Sequence, residues 1–114
     1  DCSIKEYTVA PYFLEDGSGG HEWFIEFYKE PKNLSSFIEE IDLHIKKINS
    51  DYEAKRKFDL VLKKPKVNIL KKNEFYNWLK EKDKLGGQNK IPRLMPDRSI
   101  ANELTSIQKR SFQQ

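Results

Sequence analysis

The chain of 114 residues is near the usual size of one domain, and folding at this length hides roughly 60–70% of the unfolded surface, enough for a core without metal or disulfide staples. With 37% hydrophobic, 34% charged and 14 aromatic residues (7 Phe, 5 Tyr, 2 Trp), it is neither collagen-like, membrane-spanning nor disordered. The net charge of +3 is too small to specify a nucleic-acid partner. Its distribution says more: residues 1–62 carry 8 Lys/Arg against 13 Asp/Glu (−5), and residues 63–93 carry 10 against 3 (+7).

In chain order, residues 4–14 and 21–28 are rich in β-branched and aromatic side chains and are separated by EDGSGG, a turn sequence that permits positive φ. They predict a β-hairpin in which Trp23, Ile25 and Phe27 share one face while Glu22, Phe24 and Glu26 share the other. Pro11 points to an edge position or a bulge in the first strand.

Pro31 ends the second strand. Residues 34–49 then place Leu34, Phe37, Ile38, Ile41, Ile45 and Ile48 at steps of three and four, an amphipathic helix that leaves Leu43 outside and Glu39, Glu40 and Asp42 on its solvated side. Ser50-Asp51-Tyr52-Glu53 has the spacing of a capping box and starts another helix, with Ala54, Phe58, Val61 and Leu62 as its inward stripe. Pro65 closes it. Residues 66–70 (KVNIL) read as a third strand, and Asn73 caps a helix over 74–82 anchored by Phe75, Trp78 and Leu79. After an irregular stretch, Asp97 caps a last helix with Ile100, Leu104 and Ile107 inside. The predicted fold is α+β: a small, mostly antiparallel sheet, the N-terminal hairpin plus a third strand, with about four helices packed on it, in one domain over 1–114.

Several chemistries are missing. The chain has no Gly-rich phosphate loop, no G-x-S-x-G and no H-E-x-x-H. His21 and His44 belong to different elements, so no metal site is assigned. Cys2 is the only cysteine, which excludes an internal disulfide and a Cys-based metal site. No run approaches the ~18 apolar residues that span a bilayer, and no signal peptide opens the chain, so no membrane partner and a cytoplasmic location are expected. The first residue is Asp1 rather than Met, which suggests a fragment or processed chain.

The stretch from Asp83 to Pro96 is long for a connection between helices, where about 4–6 residues are usual, and long ordered loops are disproportionately functional. Gly86 and Gly87 give freedom on one side, whereas Pro92 stiffens the other and holds Ile91 extended. Lys90 sits at the junction, an ammonium on a flexible stem suited to reach a phosphate. Arg93 adds a forked donor for phosphate, carboxylate or its own domain. The residues alone leave two readings open, an anion-contacting loop and a surface loop with incidental cations.

NSDYEAKR (49–56), KVNIL…EFYNWL (66–79) and LGGQNKIPRL (85–94) resemble the C-terminal region of the auxin-responsive Gretchen Hagen family of acyl acid–amido synthetases, adenylate-forming enzymes. Gln88, Lys90, Pro92 and Arg93 match its Q-x-K-x-P-R pattern, and Asn49, Tyr52 and Arg56 match a weaker N-S-x-Y-x-x-x-R pattern. The resemblance implies a mobile C-terminal lid of a longer ligase whose N-terminal adenylation domain binds ATP, Mg²⁺, a carboxylic acid and an amino acid. It implies that Lys90 is catalytic and contacts the nucleotide phosphates. The same resemblance implies that Gly86, Gly87, Gln88 and Arg93 bind nucleotide or position the loop, and that Asn49, Tyr52 and Arg56 serve as scaffold. The isolated fragment is expected to be inactive and to bind no cofactor alone.

Three departures are visible. Asn73-Glu74-Phe75 stands where many plant members have G-T-F, Leu94 stands where they often have Cys, and Gly86-Gly87 is nearer to bacterial members. Plant hormone specificity is therefore not carried over. The alternative is a basic α+β module that binds nucleic acid or a protein partner without catalysis, using the positive middle segment and the aromatics Phe75, Tyr76 and Trp78.

Overall fold

Alternating β-formers on either side of a glycine-rich turn give a long antiparallel ribbon in the computed structural model, which describes residues 2–83, 93–95 and 97–112. Strand β1 (Ser3–Phe13) pairs with β2 (Gly19–Lys29) in a register that sets Val9 opposite Trp23 and Phe13 opposite Gly19. The turn depends on Gly17, whose φ of +89° is open to glycine but strained for other residues. Asp16 fixes the turn by accepting the Ser18 N–H at 2.9 Å and the Ser18 hydroxyl at 2.5 Å.

Beyond β2 the chain forms α1 (Leu34–Ile48), α2 (Ser50–Arg56) and a single 3₁₀ turn (Lys57–Asp59) before it re-enters the sheet as β3 (Lys66–Leu70). β3 lies parallel to β2, with Val67 beside Trp23 and Ile69 beside Ile25. A parallel neighbour requires a crossover, and α1 and α2 supply it. Helices α3 (Glu74–Asp83) and α4 (Ser99–Phe112) complete the described elements. The α+β fold is therefore the predicted one, with strand order β1-β2-β3 and a sheet of one antiparallel and one parallel pairing.

Period-two alternation divides the helices between the faces of the sheet. Ala10, Phe24 and Leu70 join Phe75, Trp78, Ala101 and Leu104 in one buried cluster with Met95, so α3 and α4 cover that face. Trp23, Ile25 and Phe27 point the other way, and the Phe27 ring meets Phe37 of α1 edge-on at 5.4 Å. The outer edge of β1 is also used. Val9 donates its N–H to the Arg93 carbonyl at 3.0 Å and accepts the Met95 N–H at 2.7 Å. Pro11, two residues on, faces the same edge, where its missing N–H breaks no bond to β2; the edge position is the outcome of the two that were predicted.

Five local expectations are corrected. Ile48 does not extend the buried stripe of α1, because the helix ends there and leaves it 71% exposed; Leu43 is exposed as predicted. Asp42 is not on the solvated side but buried, at 4% exposure. The apolar stripe predicted for α2 does not form. The helix stops at Arg56, Ala54, Phe58 and Val61 are exposed, Leu62 is half-buried, and the inward positions one turn apart are Tyr52 and Arg56. The cap of α2 lies one residue earlier than the capping box implied, since the Asn49 side chain accepts the Tyr52 N–H at 3.0 Å. At α3, Asn73 precedes the helix with φ +70°, and its N–H donates to Glu26 Oε2 at 2.9 Å. The side-chain bond at that end comes from Glu74, which accepts the Lys71 N–H at 2.7 Å. Asp97 caps α4 as predicted, accepting the Ser99 N–H at 2.9 Å.

None of the described helices is long and apolar enough to cross a membrane. Phe24 is wholly buried at the centre of the sheet. Phe24→Ala is expected to lower the unfolding free energy by about 3–5 kcal/mol, through lost burial and the cavity left behind, as measured by urea denaturation.

Candidate functional site

Gly86, Gly87, Gln88 and Lys90 lie outside the described residues, and the structure begins again at Arg93, where the stretch returns to the sheet. Met95 sinks into the core at 2% exposure. Arg93 turns its guanidinium onto its own domain: it pairs with the Glu6 carboxylate, donates to the Tyr7 carbonyl at 3.1 Å and lies 4.5 Å from the centre of the Tyr7 ring. Tyr7 in turn stacks on Trp23 at 5.5 Å. Of the recipients open to Arg93 in the sequence, the structure shows its own domain.

This return point forms one wall of an open cleft of about 330 Å³. Tyr7, Val9, His21 and Trp23 are its floor, and Ile45, Asn49 and Tyr52 line it from the helices. The floor carries polar character. Trp23 Nε1 is buried with no hydrogen-bond partner among the described residues. His21 has its ring centre 6.2 Å from that of Tyr52, and burial lowers its pKa, which favours the neutral imidazole.

The helical wall is built from charge. Asp42 Oδ1 accepts the Tyr52 hydroxyl at 2.6 Å and Arg56 Nε at 2.8 Å, while Oδ2 accepts Arg56 Nη2 at 2.6 Å. This is a two-pronged guanidinium–carboxylate pair with a phenol attached. Lys46 adds a contact at 3.4 Å to Asp42, and Arg56 Nη1 donates to the Leu62 carbonyl at 3.1 Å. The Arg56 hydrogen bonds hold the Asp42 carboxyl well below the usual carboxylate range, against the effect of burial. Burial, followed by the bond to Asp42, pushes the Tyr52 phenol above its ordinary value. Asn49 closes α1 by donating its N–H to the Ile45 carbonyl at 2.9 Å and opens α2 with its side chain.

The structure therefore brings Asn49, Tyr52 and Arg56 together, and adds Asp42 as the anion that joins them. Hydropathy misses Asp42 because a buried carboxylate with a full set of donors looks like a surface residue in a periodicity count. The available signal was the i, i+4 spacing of Tyr52 and Arg56, a donor pair on one face that needs an acceptor. Among the described residues, no group of three or more His, Cys, Asp or Glu side chains could hold a metal ion. His44 is exposed and Cys2 is half-buried. Phe75 and Trp78 are buried at 3% and 5%, so two of the three aromatics that a nucleic-acid module would use for stacking belong to the core.

Comparison with known proteins adds a family. A profile described as the GH3 family C-terminal domain matches residues 1–99. In three dimensions the chain resembles the AtGH3.15 acyl acid amido synthetase solved in complex with 2,4-DB, with a TM-score of 0.65 and 15% sequence identity over 93% of this chain. The match covers 20% of that protein, so the chain spans about a fifth of its length. No curated protein matches the sequence.

Two predictions follow from the buried wall. Asp42→Asn leaves Arg56 without its counter-charge and is expected to cost about 3–5 kcal/mol of stability, read by chemical denaturation. The pH dependence has a defined sign. Asp42 has a lowered pKa when folded, so its contribution is present above the ordinary aspartate value of about 4 and is lost as pH falls below it. Tyr52 has a raised pKa, so its contribution is present below the ordinary tyrosine value of about 10 and is lost as pH climbs beyond it. Unfolding midpoints measured across pH should fall at both ends; Tyr52→Phe should flatten the alkaline limb and, because its hydroxyl also helps to hold the Asp42 carboxyl low, weaken the acid limb to a smaller degree.

Proposed function

The chain belongs to the GH3 family, and from that premise we propose that it is the mobile C-terminal lid of an ATP-dependent acyl acid–amido synthetase. The lid closes on an N-terminal adenylation domain that binds ATP, the carboxylic acid and the amino acid. In the first half-reaction a carboxylate oxygen attacks the α-phosphorus, forming an acyl-adenylate and releasing pyrophosphate. In the second, the amino acid's amine attacks the acyl carbon, giving an amide and AMP.

The observation that carries this reading is the Q-x-K-x-P-R pattern of residues 88–93, which lies inside the matched region. Lys90 is the residue assigned to the phosphates. Negative charge grows on the phosphoryl oxygens during attack, and a cation delivered there stabilises the transition state more than the ground state. Because the cation arrives with a closing domain, water that would hydrolyse the adenylate is excluded at the same moment.

Arg93 is the positioning member of the pattern, a role supported by its contacts with Glu6, Tyr7 and the edge of β1. Gly86, Gly87 and Gln88, which precede Lys90 in the sequence, are assigned to nucleotide binding or loop positioning. Asn49, Tyr52 and Arg56 are scaffold for the opposite wall. The described residues do not fit a Mg²⁺ site, so the metal that accompanies ATP is assigned to the N-terminal domain. A cytoplasmic setting accords with ATP and a free amino acid as substrates, and the Gly86-Gly87 pair favours a bacterial member.

In the full-length enzyme, Lys90→Ala is expected to slow acid-dependent ATP–pyrophosphate exchange by about a hundredfold, with the unfolding midpoint unchanged. Exchange at the wild-type rate would remove Lys90 from the chemistry.

A further inference from the structure

One end of the sheet carries apolar side chains left in solvent. Phe13 and Leu14, at the end of β1, are 78% and 43% exposed; Phe58, Leu60 and Val61, between α2 and β3, are 87%, 67% and 59% exposed. Gly19 joins the two groups. It lies opposite Phe13 in the ribbon, donates its N–H to the Val61 carbonyl at 3.1 Å and accepts the Lys63 N–H at 2.7 Å.

Phe58 is the most unusual of the five. Its backbone is left-handed, with φ +59° and ψ +15°, a conformation that bulky side chains rarely adopt and that persists only where the surroundings impose it. The strained residue also presents its ring to water. The border of the patch is basic: apart from the buried Arg56, residues 55–66 hold five Lys and one Asp, with Lys55 paired to Asp51 at 3.1 Å and Lys64 to Glu39 at 3.6 Å. An apolar centre with a charged border has the anatomy of an interaction surface.

We propose that this end of the sheet docks on the N-terminal portion of the same polypeptide, against an apolar patch bordered by carboxylates. The proposal rests on the lid reading above and adds the face that meets the partner domain. The chain spans a fifth of the synthetase it resembles, so a lid of this kind has a large surface tethered beside it at high effective concentration. A second copy is disfavoured by charge, because a two-fold contact through this patch sets lysines against lysines. Nucleic acid would match the border but leave the apolar centre unused.

Hydroxyl-radical labelling of the full-length protein with ATP bound tests this directly. Phe58 and Phe13 are expected to label several-fold more slowly than in the denatured chain, while Tyr28 and Tyr76, exposed by 75% and 61%, label nearly as fast as when denatured. Phe58→Asn suits the left-handed backbone, so the unfolding midpoint should hold while Phe13 becomes freely labelled. Phe58 labelling at its denatured rate overturns the proposal. So does protection that grows with protein concentration, which indicates a second copy, and so does protection seen only with phosphatidylserine vesicles, which indicates a membrane. The Lys90→Ala enzyme should protect Phe58 as the wild type does, so a failed assignment of Lys90 and a failed docking face give different results.

Discussion

Val9 directs both its N–H and its carbonyl away from β2, and the attachment of residues 93–95 to the sheet depends on those two bonds. They place Arg93 and Met95 along β1 as a short parallel extension of the sheet. Met95 is then pinned from below by the core, and Arg93 from above by Glu6 and the Tyr7 ring. Pro11 cannot donate along this edge, and Val9↔Leu94 is the bridge that joins the two segments. On the proposed reading, a charge carried just ahead of Arg93 is brought into place by movement of the domain rather than by a search of the loop.

The facing wall is positioned by different means. Helices α1 and α2 meet at one residue, Asn49, which closes the first and opens the second. The Asp42 carboxylate ties the two helices together, binding Arg56 with both oxygens and Tyr52 with one. Such a cluster is weak evidence for net stability, because removing three polar groups from water costs much of what their attraction returns. It is directional, however. Hydrocarbon tolerates a small rotation of α2, whereas a forked ion pair carrying a phenol does not, and the position of Tyr52 beside His21 in the cleft is fixed by that geometry.

The parts of the fold legible in the sequence are those where hydrophobic period and secondary structure agree. The Gly-rich turn, the division of Trp23 from Phe24, the KVNIL strand and the Phe75–Trp78–Leu79 anchor all follow from spacing, because each buries hydrocarbon at regular intervals. Helix α2 was misread because its buried face is polar: Phe58 and Val61 supplied the expected period while Tyr52 and Arg56 supplied the contacts. Asp42 was misread for the same reason from the other side of the contact. The tether at Val9 was beyond reach, since a backbone bond between residues 9 and 93 leaves no pattern in a single sequence. The Q-x-K-x-P-R pattern was legible as a motif, while the contacts of Arg93 with Glu6 and Tyr7 required the fold.

The buried cluster and the exposed aromatic are two sides of one turn. Arg56 is held inward by Asp42 and bonds the Leu62 carbonyl at 3.1 Å, and the Leu62 N–H returns to the Lys55 carbonyl at 3.0 Å. Residues 57–61 must therefore reverse direction between two fixed points, while Val61 is also bound through its carbonyl to Gly19. A segment this short, closed at both ends, cannot fold its side chains back under itself. The left-handed backbone at Phe58 is the local cost of that closure, and the ring is turned outward as a result. The geometry that rigidifies the cleft wall thus also sets the apolar end of the sheet in solvent, and a partner surface that covers Phe58 offsets the exposure without disturbing the ion pair behind it.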